Sequence, residues 1–246
     1  MSAAAITIVS KNYLSFARVL ARSYKQAHPE HDFYVILVDR IDDAFDPDAE
    51  PFKVLTVFDI ELPDLGSFVY RYSIMELNTA VKPFALDYLF RNYKYDTLLY
   101  IDPDIEIFEP LSEVYDGLDR GNVVLIPHMR QPFWDRGHPG DLDILRSGTY
   151  NLGFIGLRRS QEVDRLLAWW MSNLAVDCVV DIAKGLFVDQ KWIDLVPGFC
   201  PTTQIVRHPG YNVAYWNLHE RMLAERDGGF TVDGEPLVFF HYSGYS

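Results

Sequence analysis

Cysteine is scarce in this chain. Cys178 and Cys200 are the two present among 246 residues, and their separation fits neither metal-ligand spacing nor a disulfide-rich pattern. A disulfide-stapled scaffold is thereby excluded, and a reducing cytoplasmic setting is expected. Basic residues are also few: 22 Lys and Arg stand against 35 Asp and Glu, a formal net charge of −13. That balance argues against nucleic acid or an anionic membrane surface as the main partner. An anionic ligand therefore requires a local cationic pocket or a metal ion. No apolar run approaches the roughly 20 residues that span a bilayer, so no transmembrane segment is expected. The opening residues MSAAAITIVS lack a basic n-region and run straight into a strand-like stretch, so no signal peptide is expected.

Several catalytic signatures are missing as well. There is no Gly-x-Ser-x-Gly elbow for a hydrolase. Neither a Walker A loop nor Gly-x-Gly-x-x-Gly follows the first strand-like segment. His219-Glu220 lacks the second histidine of a zincin helix. Internal repeats, low-complexity tracts and linkers are absent too. What is present is apolar: 49% hydrophobic and 15% aromatic residues provide for a substantial core and make disorder the wrong class.

Residues 97–108 (TLLYIDPDIEIF) are the most informative stretch. A continuous apolar run, as in a strand buried on both faces of a parallel sheet, ends abruptly in Asp102-Pro-Asp104. Ligands of open α/β sheets collect outside the carboxyl ends of the strands. Two carboxylates there suit a hard divalent cation and, with it, phosphates. A plain surface turn is the competing reading, since Asp and Pro are common turn residues. The aspartate-nucleophile phosphatases also carry Asp-x-Asp at a strand end. Their signature expects Thr or Val where this chain has Glu106, and lies on the first strand, so that class is set aside.

The pattern along the chain predicts strands at 5–9, 33–38 and 54–58, with a helix bearing Tyr13, Ala17, Leu20 and Tyr24 on one face after the first. Strand, helix, strand is a βαβ unit and predicts a parallel sheet. Residues 41–51 and 131–140 read as loops, and 67–92 as mostly helical, with Pro83 starting or kinking a helix. Lys82 then lies near a helix N-terminus and could meet a phosphate, or it is a solvated lysine. Further on come a helix at 111–118, strands at 123–127 and 149–157, and the clearest helix at 160–174, where Trp169-Trp170 reads as core packing. Gly153 and Gly156 interrupt the 149–157 strand and mark a bulge or a close approach. A short helix at 188–196, a minor strand at 205–206, loop and helix over 211–226, and a hairpin over 230–240 turning at Asp233-Gly234 complete the pattern. The hairpin delivers His241, either a structural histidine or a third ligand beside Asp102 and Asp104. Such a mixed O/N set suits Mn2+ and related ions better than Ca2+.

Five stations in order resemble the GT-A glycosyltransferases, most closely the retaining group of glycogenin-like and bacterial lipopolysaccharide galactosyltransferases. They are IVSKNY at 8–13, ELNTAVKPF at 76–84, YIDPD at 100–104, YNLGF at 150–154, and VDQ at 188–190 with the late Phe240-His241. The resemblance covers nearly the whole chain. It implies a single α/β GT-A (Rossmann-like) domain over 1–246, its mostly parallel central sheet flanked by helices, with a small antiparallel element near the C-terminal half. Residues 1–110 would form the nucleotide-binding half and 111–246 the donor-sugar and acceptor half. It also implies that Asp102, Asp104 and His241 hold Mn2+ (or Mg2+), that Ser10, Asn12 and Tyr13 line the base and ribose pocket, and that Lys82 contacts the diphosphate or sugar. Asp102 can also face the ribose or sugar. Asn151 and Asp189 would hydrogen-bond donor-sugar hydroxyls, and Gln190 would lie near the anomeric carbon.

The family usually continues past its histidine as His-x-Gly-x-x-Lys-Pro-Trp, whereas this chain reads His241-Tyr-Ser-Gly-Tyr-Ser246. Truncation from a longer polysaccharide-assembly enzyme with additional domains is the expectation. The implied function is transfer of a hexose from a nucleotide diphosphate sugar to a glycan or lipid-linked acceptor, with a cytoplasmic or inner-membrane-peripheral location. A non-catalytic nucleotide-sugar-binding scaffold is the alternative. A nucleotidyltransferase ranks behind both, because residues 10–13 offer one basic residue where a Gly-rich basic loop is wanted.

Overall fold

The computed structural model describes residues 2–42, 45–134, 137–226 and 228–244. Parts of both loops expected from the sequence (43–44 and 135–136) and residues 245–246 lie outside the described residues. The first half runs β1 (Ala3–Val9), α1 (Leu14–Ala27), β2 (Asp32–Leu37), β3 (Lys53–Thr56), α2 (Leu65–Arg71), α3 (Ile74–Ala80), α4 (Lys82–Asn92), β4 (Thr97–Ile101), β5 (Ile105–Ile107) and α5 (Ser112–Arg120). The second continues through β6 (Val123–Leu125), α6 (Asp141–Ser147), β7 (Phe154–Arg158), α7 (Gln161–Leu174), β8 (Val180–Asp181), β9 (Leu186–Phe187), α8 (Gln190–Ile193), α9 (Val196–Phe199) and β10 (Gln204–Ile205). It ends with β11 (Leu223–Arg226), β12 (Gly229–Val232), β13 (Glu235–Pro236) and β14 (Phe239–His241).

Seven strands form the central sheet in the order β10-β6-β7-β4-β1-β2-β3. It is mostly parallel, as expected; β7 alone among its strands runs antiparallel, against both β4 and β6. β1 and β4 are adjacent and parallel, while β1 continues through α1 to β2 on its other side. That reversal of direction is the switch point at which open α/β sheets bind ligands. Residues that follow β1, β4 and β6 therefore gather at one edge, and the residues before the reversed β7 join them there.

Burial on both faces explains the apolar strands. β1 and β4 are buried along their whole length. One face packs Leu86, Leu89, Leu166 and Trp170 of α4 and α7, and the other packs Ala17, Leu20 and Tyr24 of α1 with Val114 and Leu118 of α5. Trp170 is fully buried and Trp169 packs on that core, in keeping with their reading as core residues. Ser160 caps α7 by accepting from the Val163 N–H, and a capping box of Ser73 and Glu76 starts α3. Both cysteines are buried and free.

Four local expectations are revised. The helical region 67–92 is three helices, with Pro83 in the first turn of α4, where its missing N–H costs nothing. Residues 149–153 are turn rather than strand; only the Phe154–Arg158 part pairs as β7. α6 falls in a stretch whose Gly and Pro content masks its short apolar pattern. The expected helix within 211–226 is a 3-10 helix (Tyr215–Glu220) followed by β11. The hairpin does turn at Asp233-Gly234, but it ends with Pro236, and β14 leaves it to pair with β5, setting His241 opposite Ile105.

At the far end of α1, His28 accepts a hydrogen bond from the Leu111 N–H at 3.0 Å through Nε2, which requires that nitrogen to be bare. Burial, reinforced by the neighbouring His31, pushes its pKa down from 6.5 to about 4. The unfolded chain therefore binds a proton in that window that the folded chain refuses, and stability falls as pH drops from 6.5 toward 4. Urea midpoints should decrease between pH 7 and 5.5, a range in which ordinary carboxylates stay ionised, and His28→Gln should flatten that decrease.

Candidate active site

The strand edge opens into a cavity of about 560 Å3 lined by Lys82, Asp102, His128, Asn151, Asp189, Gln190, Trp216 and His241, among others. A second cavity of about 260 Å3 shares Met75, Thr79 and Asp102 with it and is lined by Ser10, Asn12, Tyr13 and Asn78. The nine residues singled out from the sequence thus come together around two connected hollows.

Asp102, Asp104 and His241 converge from β4 and β14. Their candidate ligand atoms all lie within 4.8 Å of one another. His241 Nε2 stands 3.1 Å from Asp104 Oδ1 and 3.8 Å from Asp102 Oδ2. Two hard oxygens and one imidazole nitrogen at this spacing match the donor set of a first-row divalent ion. Gly153 makes the approach possible: a Cβ there would stand 2.5 Å from His241 Cε1, 2.7 Å from Asn151 Oδ1 and 2.9 Å from Asp102 Oδ2. The Gly153 carbonyl also accepts the Asp102 N–H at 2.7 Å, which locks the turn to the sheet. Asp102 keeps 29% side-chain exposure. Even so, the protein packed around it raises its pKa; Lys82 opposes that rise and Asp104 adds to it. Tyr100 donates to Asp102 Oδ1 at 2.6 Å.

Lys82 is not a solvated lysine. It is 1% exposed, and its ammonium donates to Asp189 Oδ2 at 2.5 Å and to the Leu152 carbonyl at 2.7 Å. It also lies 4.0 Å above the centre of the Tyr100 ring. Burial raises the Asp189 pKa, and the paired Lys82 opposes the rise. Val188, immediately before, is held at φ 42, a left-handed conformation that is costly for a β-branched residue. Gln190 is committed too: its Oε1 accepts the Leu152 N–H and its Nε2 donates to the Ser147 carbonyl, both at 2.9 Å.

The sequence reading passed over His128, Trp216 and Asn78. Burial, reinforced by the neighbouring His241, pushes the His128 pKa down to about 4. Trp216 packs edge-on against both His128 and His241, at 5.5 and 5.2 Å between ring centres. The buried Oδ1 of Asn78 has no hydrogen-bond partner beside Ser10 and Asn12. His128 could have been found, because it follows an apolar strand just as Asp102 does. Nothing local marks Trp216 or Asn78.

No family model matches the chain. Two Bacillus subtilis (strain 168) relatives, both uncharacterized, align along it. YfnF is 25% identical over all of this chain and 82% of its own, and YfnD is 23% identical over 98% and 77%. Among solved structures, a glycosyltransferase involved in glycosylation of the major capsid of PBCV-1 superposes with a TM-score of 0.57 at 11% identity, covering 100% of this chain and 95% of that one. The galactosyltransferase LgtC, in complex with donor and acceptor sugar analogues, gives 0.54 at 16% identity over 98% and 87%. GlyE of Streptococcus pneumoniae TIGR4 gives 0.52 at 12% identity over 86% and 46%. This chain has the GT-A glycosyltransferase fold. At such identities the likeness concerns the fold, and chemistry must be argued from the side chains.

Two substitutions probe that fold at the cavity. Lys82→Met leaves Asp189 as an uncompensated buried charge and should cost about 3–5 kcal/mol in urea unfolding, with much of the loss recovered in Lys82→Met/Asp189→Leu. Gly153→Ala should lower divalent-ion affinity about tenfold or more in a calorimetric titration while far-UV dichroism is kept, because its methyl group displaces Asp102 or His241.

Proposed function

We propose that this chain is a divalent-metal-dependent, retaining hexosyltransferase. It moves a hexose from a nucleotide diphosphate sugar to a glycan or lipid-linked acceptor in bacterial polysaccharide assembly. The observation that carries the reading is the convergence of Asp102, Asp104 and His241 at the switch point of a GT-A sheet, beside the buried Lys82–Asp189 pair. Charge supports the metal. Among the described residues lining the larger cavity, the cations are Lys82 and Arg146, each beside a carboxylate, Asp189 and Asp143 respectively. Asp102 adds a further negative charge, so a diphosphate needs an added cation to enter.

In this reading Asp102, Asp104 and His241 hold Mn2+ or Mg2+, which when bound neutralises the charge that develops on the leaving nucleotide diphosphate. Ser10, Asn12 and Tyr13 line the base and ribose pocket, where the unpartnered Asn78 Oδ1 supplies an acceptor for a base N–H. Lys82 fixes the carboxylate of Asp189, which with Asn151 receives the sugar hydroxyls. Gln190 holds the wall beside the anomeric carbon through its bonds to Leu152 and Ser147. Retention rests on the resemblance of Val188-Asp-Gln190 to the retaining group. No side chain is assigned as general base, because in front-face transfer the departing phosphate oxygen takes the acceptor's proton as its bond to the anomeric carbon breaks. A second reading, a nucleotide-sugar-binding scaffold without turnover, draws on the commitment of both Lys82 and Gln190 to protein partners.

A thermal-shift panel of nucleotide sugars with and without Mn2+ tests both readings. One donor should stabilise the protein only with metal present, by about 2.7 kcal/mol at a hundredfold excess over its Kd. Asp104→Ala should remove that shift and lower donor hydrolysis or transfer by about 100-fold or more. Absence of any donor response would rule out both readings, and tight donor binding without turnover by the intact protein would leave the scaffold.

A further inference from the structure

One histidine in the cavity wall has no part in the reading above. His128 follows β6 at the ligand-binding edge and is 5% exposed. Its backbone is fixed from two sides, by its own N–H donating to Thr149 and by Asn217 Nδ2 donating to its carbonyl at 2.9 Å. Its ring makes one hydrogen bond: Nε2 lies 3.1 Å from Asn151 Nδ2, while Nδ1 is buried without a partner.

The orientation of the Asn151 amide is decided by a donor that cannot change its role. The Gly153 backbone N–H meets Asn151 at 3.2 Å, so the atom facing it is the oxygen. That same oxygen lies 3.2 Å from His241 Nδ1. Because an amide oxygen only accepts, His241 carries a proton on Nδ1. The amide nitrogen only donates, so His128 Nε2 is bare and its proton sits on Nδ1. His241 Nε2, the atom that faces Asp102 and Asp104, is thereby the nitrogen with a lone pair to give to a cation.

We propose that His128 is a positioning residue for the metal site, acting through Asn151: it holds the amide so that the oxygen faces His241 and the His241 Nε2 lone pair stays available. The proposal rests on Asp102, Asp104 and His241 being the metal ligands. With His128 removed, the amide is held by Gly153 alone. If it turns over, its nitrogen faces His241 Nδ1, which then accepts, and Nε2 must carry the proton. That ring offers the cation an N–H instead of a lone pair. Partners that set the tautomer of a ligating histidine commonly change metal affinity by about 10–100-fold.

The test is Mn2+ affinity of the whole chain, read from the paramagnetic resonance of free Mn2+. His128→Phe keeps a ring against Trp216 and removes the acceptor; affinity should fall about tenfold. The same change in an Asn151→Asp background should cost less than about twofold, because a carboxylate presents an accepting oxygen in either orientation. An equal loss in both backgrounds, or no loss in either, overturns the proposal. A second measurement needs no variant: histidine 15N shifts of the Mg2+-loaded wild type should report a protonated Nδ1 on His241, and the opposite tautomer overturns the proposal. Wild-type protein that binds no Mn2+ rejects the metal-site reading itself and this proposal with it, whereas wild-type binding unchanged in His128→Phe rejects this proposal alone.

Discussion

The Lys82 ammonium is where four separate parts of the chain meet, and the cavity depends on it. Its pairing with Asp189 reaches from α4 to the segment before α8, its bond to Leu152 reaches the turn before β7, and it lies on the ring of Tyr100 in β4. A buried charge this far from water tolerates no vacancy among its partners, because desolvation costs several kcal/mol per ion. The same bonds that satisfy the lysine therefore hold Asp189 in place, against the unfavourable backbone of Val188. They also anchor the Asn151–Gly153 turn that the metal site uses.

A second constraint is steric. The reversed strand β7 sends its preceding turn to the edge where β1 and β4 end, and Gly153 lets that turn close against Asp102 and His241 with no side chain between them. Strand β14, paired to β5, supplies His241 from the far end of the chain. The site is thus assembled by sheet register rather than by loops: shifting β14 by one residue against β5 would turn His241 to the opposite face.

Polar order at the site follows from a few donors and acceptors with fixed roles. The Gly153 N–H orients one amide, and that amide orients two imidazoles on opposite sides of it. Tyr100 and Lys82 act similarly on Asp102 and Asp189. Such a network holds each group in a single state without a bound ligand, the preorganisation that a reacting site requires.

The sequence by itself determined the parallel α/β core, because runs such as Thr97–Ile101 are apolar on both faces and leave no solvent side. It also determined the acidic corner at Asp102 and Asp104, since residues that follow a buried strand must emerge at the ligand-binding edge. Lys82, Asn151, Asp189 and His241 were legible through their order along the chain, which resembles a family, and not through any local physical signal. Only the tertiary structure decided that Lys82 is buried and paired, that β7 runs backwards, and that His128 and Trp216 stand behind His241. These depend on contacts between residues far apart in sequence, such as Lys82 with Asp189 and Asn151 with His241, and no local periodicity or turn propensity encodes which distant partner a buried polar group will meet.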